Sequence, residues 1–244
     1  MASFWKHVKE VLEKSDVVLE VLDARLIEQS RNREIEEKVQ KLGKKLLFVI
    51  NKSDLVDPSA LLGVKKTLKP SVFVSSREKL GTTILKKKIM ELSKGEMVIV
   101  GVVGYPNVGK SSVINALSGR NAARTSAESG FTKGMQKVRV GPKIVLLDTP
   151  GVLPEREKDE FKHGMIGAVD FAKLKDPEGV ALSFIEERKE LVRRHYGITS
   201  EDAEEILEAI AFKFKKLRKR GEADLESAAR FLLKEWQAGK IKNV

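Results

Sequence analysis

The stretch Gly104-x4-Gly109-Lys110-Ser111 lies between the apolar run Met97–Val103 and a helical pattern, Lys110–Ser118. A strand that turns through glycines straight into a helix aims backbone N–H groups at one spot, which makes a cradle for phosphate. Such a loop ordinarily follows the first strand of its domain. Here it begins only at residue 104, so the strands that should come after it must stand in front of it.

Those strands are visible. Apolar, β-branched runs occur at Val17–Leu22, Leu46–Ile50, Val72–Val74, Met97–Val103, Val138–Val140 and Ile144–Leu147, and helical patterns at Arg31–Lys41, Pro58–Lys69, Thr82–Leu92 and Lys110–Ser118 separate most of them. The alternation predicts an α/β domain with a mostly parallel sheet covered on both faces and ligands at the carboxyl ends of its strands. Gly141-Pro142 reads as a hairpin turn between an edge strand and its neighbour.

From Pro177 onward only helical periodicity remains, which divides the chain into an α/β domain at 1–176 and a small all-α C-terminal domain at 177–244. One apolar stripe runs through Ala203, Ile206, Leu207, Ile210, Ala211 and Phe214, with Thr199 and Asp202 placed as a capping box. A second runs through Leu225, Ala229, Leu232, Leu233 and Trp236.

Three further motifs close strands. Asp148-Thr-Pro-Gly151 follows Ile144–Leu147, where a carboxylate can hold Mg²⁺ through a water and the Gly151 N–H can approach a γ-phosphate. Asn51-Lys-Ser-Asp54 follows Leu46–Ile50. The Asp54 carboxylate can accept from N1–H and the 2-amine of guanine, with Asn51 steadying the neighbouring loops and Lys52 packed along the base. Ser75-Ser76-Arg77 follows Val72–Val74 and is expected to place the Ser76 N–H on guanine O6. Around the phosphates, Asn107, Val108, Gly109, Lys110, Ser111 and Ser112 line the nucleotide. Lys110 reaches the β- and γ-oxygens, and Ser111 ligates Mg²⁺. Thr132, in the poorly periodic segment Asn121–Lys133, is expected to reach Mg²⁺ and the γ-phosphate. Lys110, Thr132 and Gly151 are thus the catalytic set.

The order is base loop, second base loop, phosphate loop, Thr132, then Asp148–Gly151. These residues resemble the G-protein signature set in circularly permuted order, G4-G5-G1-G2-G3, and the resemblance implies a Ras-like P-loop GTPase domain. Together with Val21-Leu-Asp-Ala-Arg25, Phe131–Gln136 and the helical tail, they resemble the YlqF/RbgA family of circularly permuted GTPases over nearly the whole chain. That resemblance implies GTP and GDP as ligands and a role in assembly of the ribosome, the large subunit being the expected one, with the C-terminal helices on rRNA. Bacterial members carry a catalytic histidine in a Pro-Gly-His segment. His7 does not align with it and reads as part of an ordinary amphipathic helix, while His163 and His195 have no motif around them. Val152 stands where a Ras-like enzyme has its water-orienting glutamine, so unaided turnover is expected to be slow. Asn107 matches the asparagine that holds K⁺ in potassium-activated GTPases.

A formal charge of +11 suits a polyanionic partner such as nucleic acid. Lys213, Lys215, Lys216, Arg218, Lys219 and Arg220, read as a basic helical face, are the expected RNA contacts. The absence of cysteine excludes disulfides and thiolate metal sites, and no apolar stretch reaches membrane-spanning length. The charged N-terminal segment points to a cytoplasmic protein, expected to be a monomer. Two rival readings stand beside GTP-driven assembly: a nucleotide-gated interaction module with incidental hydrolysis, and a GTPase serving RNA modification.

Overall fold

The computed structural model describes residues 2–119, 136–151, 153, 154, 157 and 159–242. They form two compact units, Met1–Glu157 and Lys158–Val244.

In the first unit, six strands form one sheet: β1 (Val17–Asp23), β2 (Lys45–Asn51), β3 (Ser71–Phe73), β4 (Val98–Val103), β5 (Gln136–Val140) and β6 (Ile144–Asp148). Their order is β3-β2-β1-β4-β6-β5. All neighbours are parallel except the β5–β6 hairpin, whose turn contains Gly141 at φ +64°. Every residue of β1 is buried, as a central parallel strand requires. Pairing runs from Val17 opposite Lys45 to Asp23 opposite Asn51, and from Val17 opposite Val100 to Glu20 opposite Val103. This register brings the carboxyl ends of the central strands to one edge.

The connecting helices are α1 (Ala2–Lys14), α2 (Ile27–Ser30), α3 (Arg33–Lys41), α4 (Pro58–Thr67), α5 (Thr82–Leu92) and α6 (Lys110–Ser118). Trp5, Val8 and Leu12 of α1 and Ile35 and Val39 of α3 bury against Val18 and Val103. A second cluster joins Leu61 of α4 to Leu22, Phe48 and Ile50. Each such side chain contributes roughly 1.5–3 kcal/mol on burial. α3 starts where the Asn32 side chain accepts from the Ile35 N–H, and α4 where Asp57 caps a helix with proline in its first turn.

The second unit contains α7 (Glu160–Met165), α8 (Pro177–Glu187), α9 (Lys189–Tyr196), α10 (Ala203–Lys213) and α11 (Leu225–Gln237). Trp236 is its buried hub: the ring stands 4.7 Å from that of Phe184, and Nε1 donates to the Met165 carbonyl at 2.7 Å. Gln237 Nε2 donates to Gly164 and Val169, and Arg230 to Phe171 and Leu174. These bonds tie residues preceding Pro177 to α11, so the unit begins at Lys158 rather than at 177.

Two local expectations are corrected. α10 is capped by Asp202, which accepts from Glu204 and Glu205 N–H, and not by Thr199 three residues earlier; a carboxylate at the helix start answers both the free amides and the dipole. The basic run is not a helical face. α10 ends at Lys213, Lys215 adopts φ +53°, and the chain closes a turn through the Leu217–Ala223 bridge.

Candidate functional site at the carboxyl edge of the sheet

β4 ends in the phosphate loop and α6 begins at Lys110. A Cβ on Gly109, at φ +96°, would stand 2.3 Å from Asn51 Nδ2, so only glycine allows the base loop this close. Asn51, almost fully buried, uses both ends of its amide. Nδ2 donates to the Val108 carbonyl at 2.9 Å, and Oδ1 accepts from the Ser76 N–H at 3.1 Å. One side chain therefore joins the phosphate loop and both base loops. The Ser76 N–H, expected to face guanine O6, is engaged by Asn51 in this structure. The reason is the amide oxygen presented to it from the end of β2.

Lys110 is buried, and its ammonium donates to the carbonyls of Gly104 at 3.1 Å and Tyr105 at 2.8 Å. Burial pushes its pKa down to about 8 against the pull of Asp148. Gly151 meets the same loop: a Cβ there would lie 2.6 Å from Pro106 Cα and 2.9 Å from Lys110 Nζ. Asn107 occupies the left-handed region at φ +61°, which asparagine tolerates. Ser112 follows on the first turn of α6, half-buried.

Ser111 Oγ donates to Asp148 Oδ2 at 3.2 Å, while Asp148 Oδ1 is buried with no partner among the described residues. Burial raises the Asp148 pKa despite Lys110 and Ser111. A hydroxyl and an under-satisfied carboxylate facing each other suit a hard divalent cation such as Mg²⁺, which takes only one or two protein ligands beside phosphates. Thr132, the other expected ligand, lies outside the described residues, as do the whole of the segment Asn121–Lys133 that contains it and Val152. No cluster of three His, Cys, Asp or Glu able to hold a metal occurs among the described residues.

At the base loop, Lys52 adopts φ +59° and Asp54 is half-buried. Ser75 is buried and its Oγ accepts from the Glu78 N–H at 3.1 Å, whereas Arg77 is exposed. Lys52 Nζ does not lie free: it donates to Asp23 Oδ2 at 2.8 Å. Asp23 in turn holds Arg25 through both carboxylate oxygens. Burial opposes ionisation of Asp23, but Arg25 and Lys52 outweigh it and hold the carboxyl far below the usual range. In the sequence Asp23 and Arg25 stand out only through the family resemblance, without a role of their own. The signal available was a pair of opposite charges, Asp23 and Arg25, at the end of a strand whose other residues are apolar except Glu20.

Two more interactions were beyond the sequence. Tyr105 in the phosphate loop donates to the Glu157 carboxylate at 2.9 and 3.0 Å, and Trp5 Nε1 donates to the Leu153 carbonyl. Both grip the segment that follows Asp148–Gly151.

In the second unit, Lys215, Arg218, Lys219 and Arg220 are exposed on the α10–α11 turn. Lys213 donates to the Tyr196 carbonyl, and the Lys216 ammonium lies 5.4 Å from the centre of the Phe231 ring, so these two serve the fold. His163, which is buried, and His195, which is exposed and packed edge-on to Tyr196, belong to this unit, and His7 lies within α1.

Residues 99–216 match the sequence profile of the 50S ribosome-binding GTPase family. The chain is 42% identical over 97% of its length to a GTP-binding protein of Methanocaldococcus jannaschii, covering 65% of that protein. It is 31% identical to the nuclear GTP-binding protein NUG1 of Saccharomyces cerevisiae, over 97% of this chain and 54% of the other. It therefore spans less than two thirds of these curated relatives. Among solved structures, GNP-bound YlqF from T. maritima superposes with a TM-score of 0.70 at 26% identity, over 98% of this chain and 95% of that one.

Proposed function

The chain belongs to the circularly permuted, YlqF-like group of GTPases, and from that premise we propose that it binds GTP and hydrolyses it to GDP and phosphate in the service of ribosome assembly. The observation that carries the nucleotide reading is Asn51, whose amide bonds the phosphate loop on one side and the second base loop on the other. Phosphate and base recognition are thereby held at one edge of the sheet although the chain reaches them in permuted order.

In this reading the phosphate-loop amides and Lys110 hold the β- and γ-oxygens, and Asp54 reads the guanine edge. Ser111 and Asp148 hold Mg²⁺, with Thr132 completing the set. The metal supplies neutralisation of phosphate charge. Asn107 supports K⁺ in the same loop. Val152 has no group to orient water, so turnover is slow until a partner orders the site. The exposed cations of the α10–α11 turn attach the protein to rRNA of a ribosomal subunit, the large one on the family's profile, and the protein acts as a cytoplasmic monomer. No helix among the described residues is long and apolar enough to cross a membrane.

The test is threefold. Asp54→Asn should weaken GTP and favour a xanthine nucleotide, because an amide donor then faces the 2-oxo group. Hydrolysis should be faster in K⁺ than in Na⁺ at equal ionic strength. Co-sedimentation with ribosomal subunits should be stronger with a non-hydrolysable GTP analogue than with GDP. A mutant that keeps its preference for GTP over XTP removes the base-loop assignment, equal rates remove the K⁺ role, and failure to sediment with either subunit removes the ribosome.

A further inference from the structure

We infer that Asp23, braced by Arg25, is a positioning and specificity-determining residue of the guanine site: it holds the Lys52 ammonium away from Asp54. This rests on the reading of Asn51–Asp54 as the base loop.

The ends of β1 and β2 are in register at Asp23 and Asn51, and the Ala24 N–H donates to the Asn51 carbonyl at 2.8 Å. The loops that follow are thus side by side. Asp23 is fully buried and Arg25 nearly so. Asp23 Oδ1 accepts from the Arg25 N–H and Nε, both at 3.0 Å, and Oδ2 accepts from Arg25 Nη2 and Lys52 Nζ, both at 2.8 Å. The Arg25 fork fixes the carboxylate in rotation, so one lone-pair direction remains for Lys52.

The charges alternate: Arg25 positive, Asp23 negative, Lys52 positive, Asp54 negative. Asp54 exerts a weaker pull on the same ammonium. Lysine is a point charge on a flexible four-carbon stem and settles on whichever carboxylate holds it best. With Asp23 present, that is Asp23. The Lys52 stem is then stretched along the loop, where it can cover the base, and both Asp54 oxygens stay open for the guanine N1–H and 2-amine. Without the Asp23 charge, Arg25 repels Lys52 and Asp54 is the carboxylate left to attract it. The ammonium then competes with guanine for its own acceptor.

The distinguishing measurement is the ratio of affinities for GDP and IDP, which lacks the 2-amine, together with GDP release from the full chain followed by displacement of a fluorescent analogue. Asp23→Asn should speed GDP release by about tenfold or more and shrink the GDP-to-IDP ratio. Adding Lys52→Met to Asp23→Asn should restore the ratio, because nothing then masks Asp54. A purely structural role would weaken both nucleotides equally, with no rescue, and that result overturns the inference. So does wild-type release and ratio in Asp23→Asn.

If Asp23→Asn does not fold, Lys52→Met alone decides: GDP release must accelerate through loss of the stem's fixed position, and wild-type release would overturn the inference. A wild-type protein that does not prefer GDP over IDP would instead sink the base-loop reading on which it stands.

Discussion

Trp5 Nε1 donates a 3.0 Å hydrogen bond to the carbonyl of Leu153, two residues beyond the Gly151 that touches the phosphate loop. The indole is buried, and the Lys38 ammonium lies 4.0 Å from its ring centre. α1 is thereby fastened to the segment that follows Asp148–Gly151, which the proposed function sets beside the γ-phosphate. Tryptophan emission responds to such a bond. Exchanging GDP for a non-hydrolysable GTP analogue should shift the fluorescence of the wild type, and Trp5→Phe should remove most of that shift at a stability cost of about 1 kcal/mol. A Trp5→Phe protein with an undiminished shift would assign the signal to Trp236 and show that α1 does not follow the segment at Leu153.

Lys110 predicts proton-linked binding. Its folded pKa is lowered by burial to about 8 from 10.5, and phosphate oxygens beside it will raise it again. Below about pH 8 the ammonium is charged with or without nucleotide, so affinity is flat. Above it the free protein has lost a proton that the complex takes back, so GDP affinity falls with rising pH, by up to about tenfold per unit. Calorimetry at pH 9 in buffers of different ionisation enthalpy should show close to one proton taken up. No uptake would mean that another group meets the phosphates.

Glu20 predicts a pH-dependent stability. It lies in β1 with Oε1 accepting from the Asn32 N–H at 2.7 Å and Oε2 unpartnered among the described residues; burial pushes its pKa up to about 8, with Glu36 adding to the effect. The nearby Arg31 and Arg33 pull the other way. A raised carboxyl pKa means that the native state holds a proton the unfolded chain has released between about pH 4.5 and 8. Its contribution is therefore whole below the lower value and declines by up to about 1.4 kcal/mol per pH unit towards the upper one. Glu20→Gln should be more stable than wild type at pH 8 and lose that advantage at pH 5. Parallel stability curves would show that Glu20 does not titrate in this window.

The α10–α11 turn predicts a salt slope. Removing one cation that neutralises a phosphate lowers the slope of log affinity against log salt by roughly 0.7–0.9. Replacing the exposed Lys215, Arg218, Lys219 and Arg220 by alanine should flatten subunit binding by up to about three units, with GTP hydrolysis by the free protein unchanged. Lys213→Ala and Lys216→Ala should instead lower the melting temperature, since their side chains serve Tyr196 and Phe231. An unchanged slope would make the turn a solvated surface.

The sheet and the placement of the candidate loops at its carboxyl edge were legible because their signals are local. Apolar runs in parallel strands need no partner to be recognised, and Gly109, Lys110 and Asp148 sit in motifs whose spacing is itself the chemistry. What stayed hidden was settled by juxtaposition. Lys52 meets Asp23 only because β1 and β2 are in register, and Trp5 meets Leu153 across nearly the whole first unit. The basic run misled for a different reason: Lys215 takes a left-handed φ usually left to glycine, so nothing in its composition marked the helix end. The domain division shifted because Arg230 and Gln237 recruit a stretch with no periodicity of its own.

The strand order also sets a timetable. The sheet is laid down from its middle: β1 first, then β2 and β3 to one side, and only afterwards β4 on the other. At roughly 5–20 residues per second, synthesis from the end of β3 to the start of β4 occupies about one to five seconds. During that interval the half that carries Asn51–Asp54 and Ser75–Arg77 can assemble, while the edge of β1 from Val17 to Glu20 waits for Val100–Val103. An unpaired edge of that kind invites foreign strands. Three of its four residues are apolar, and Glu20 is the exception. Its carboxylate, a burden once buried, is solvated while the edge stands open, which guards the growing chain at the moment it is most easily mispaired.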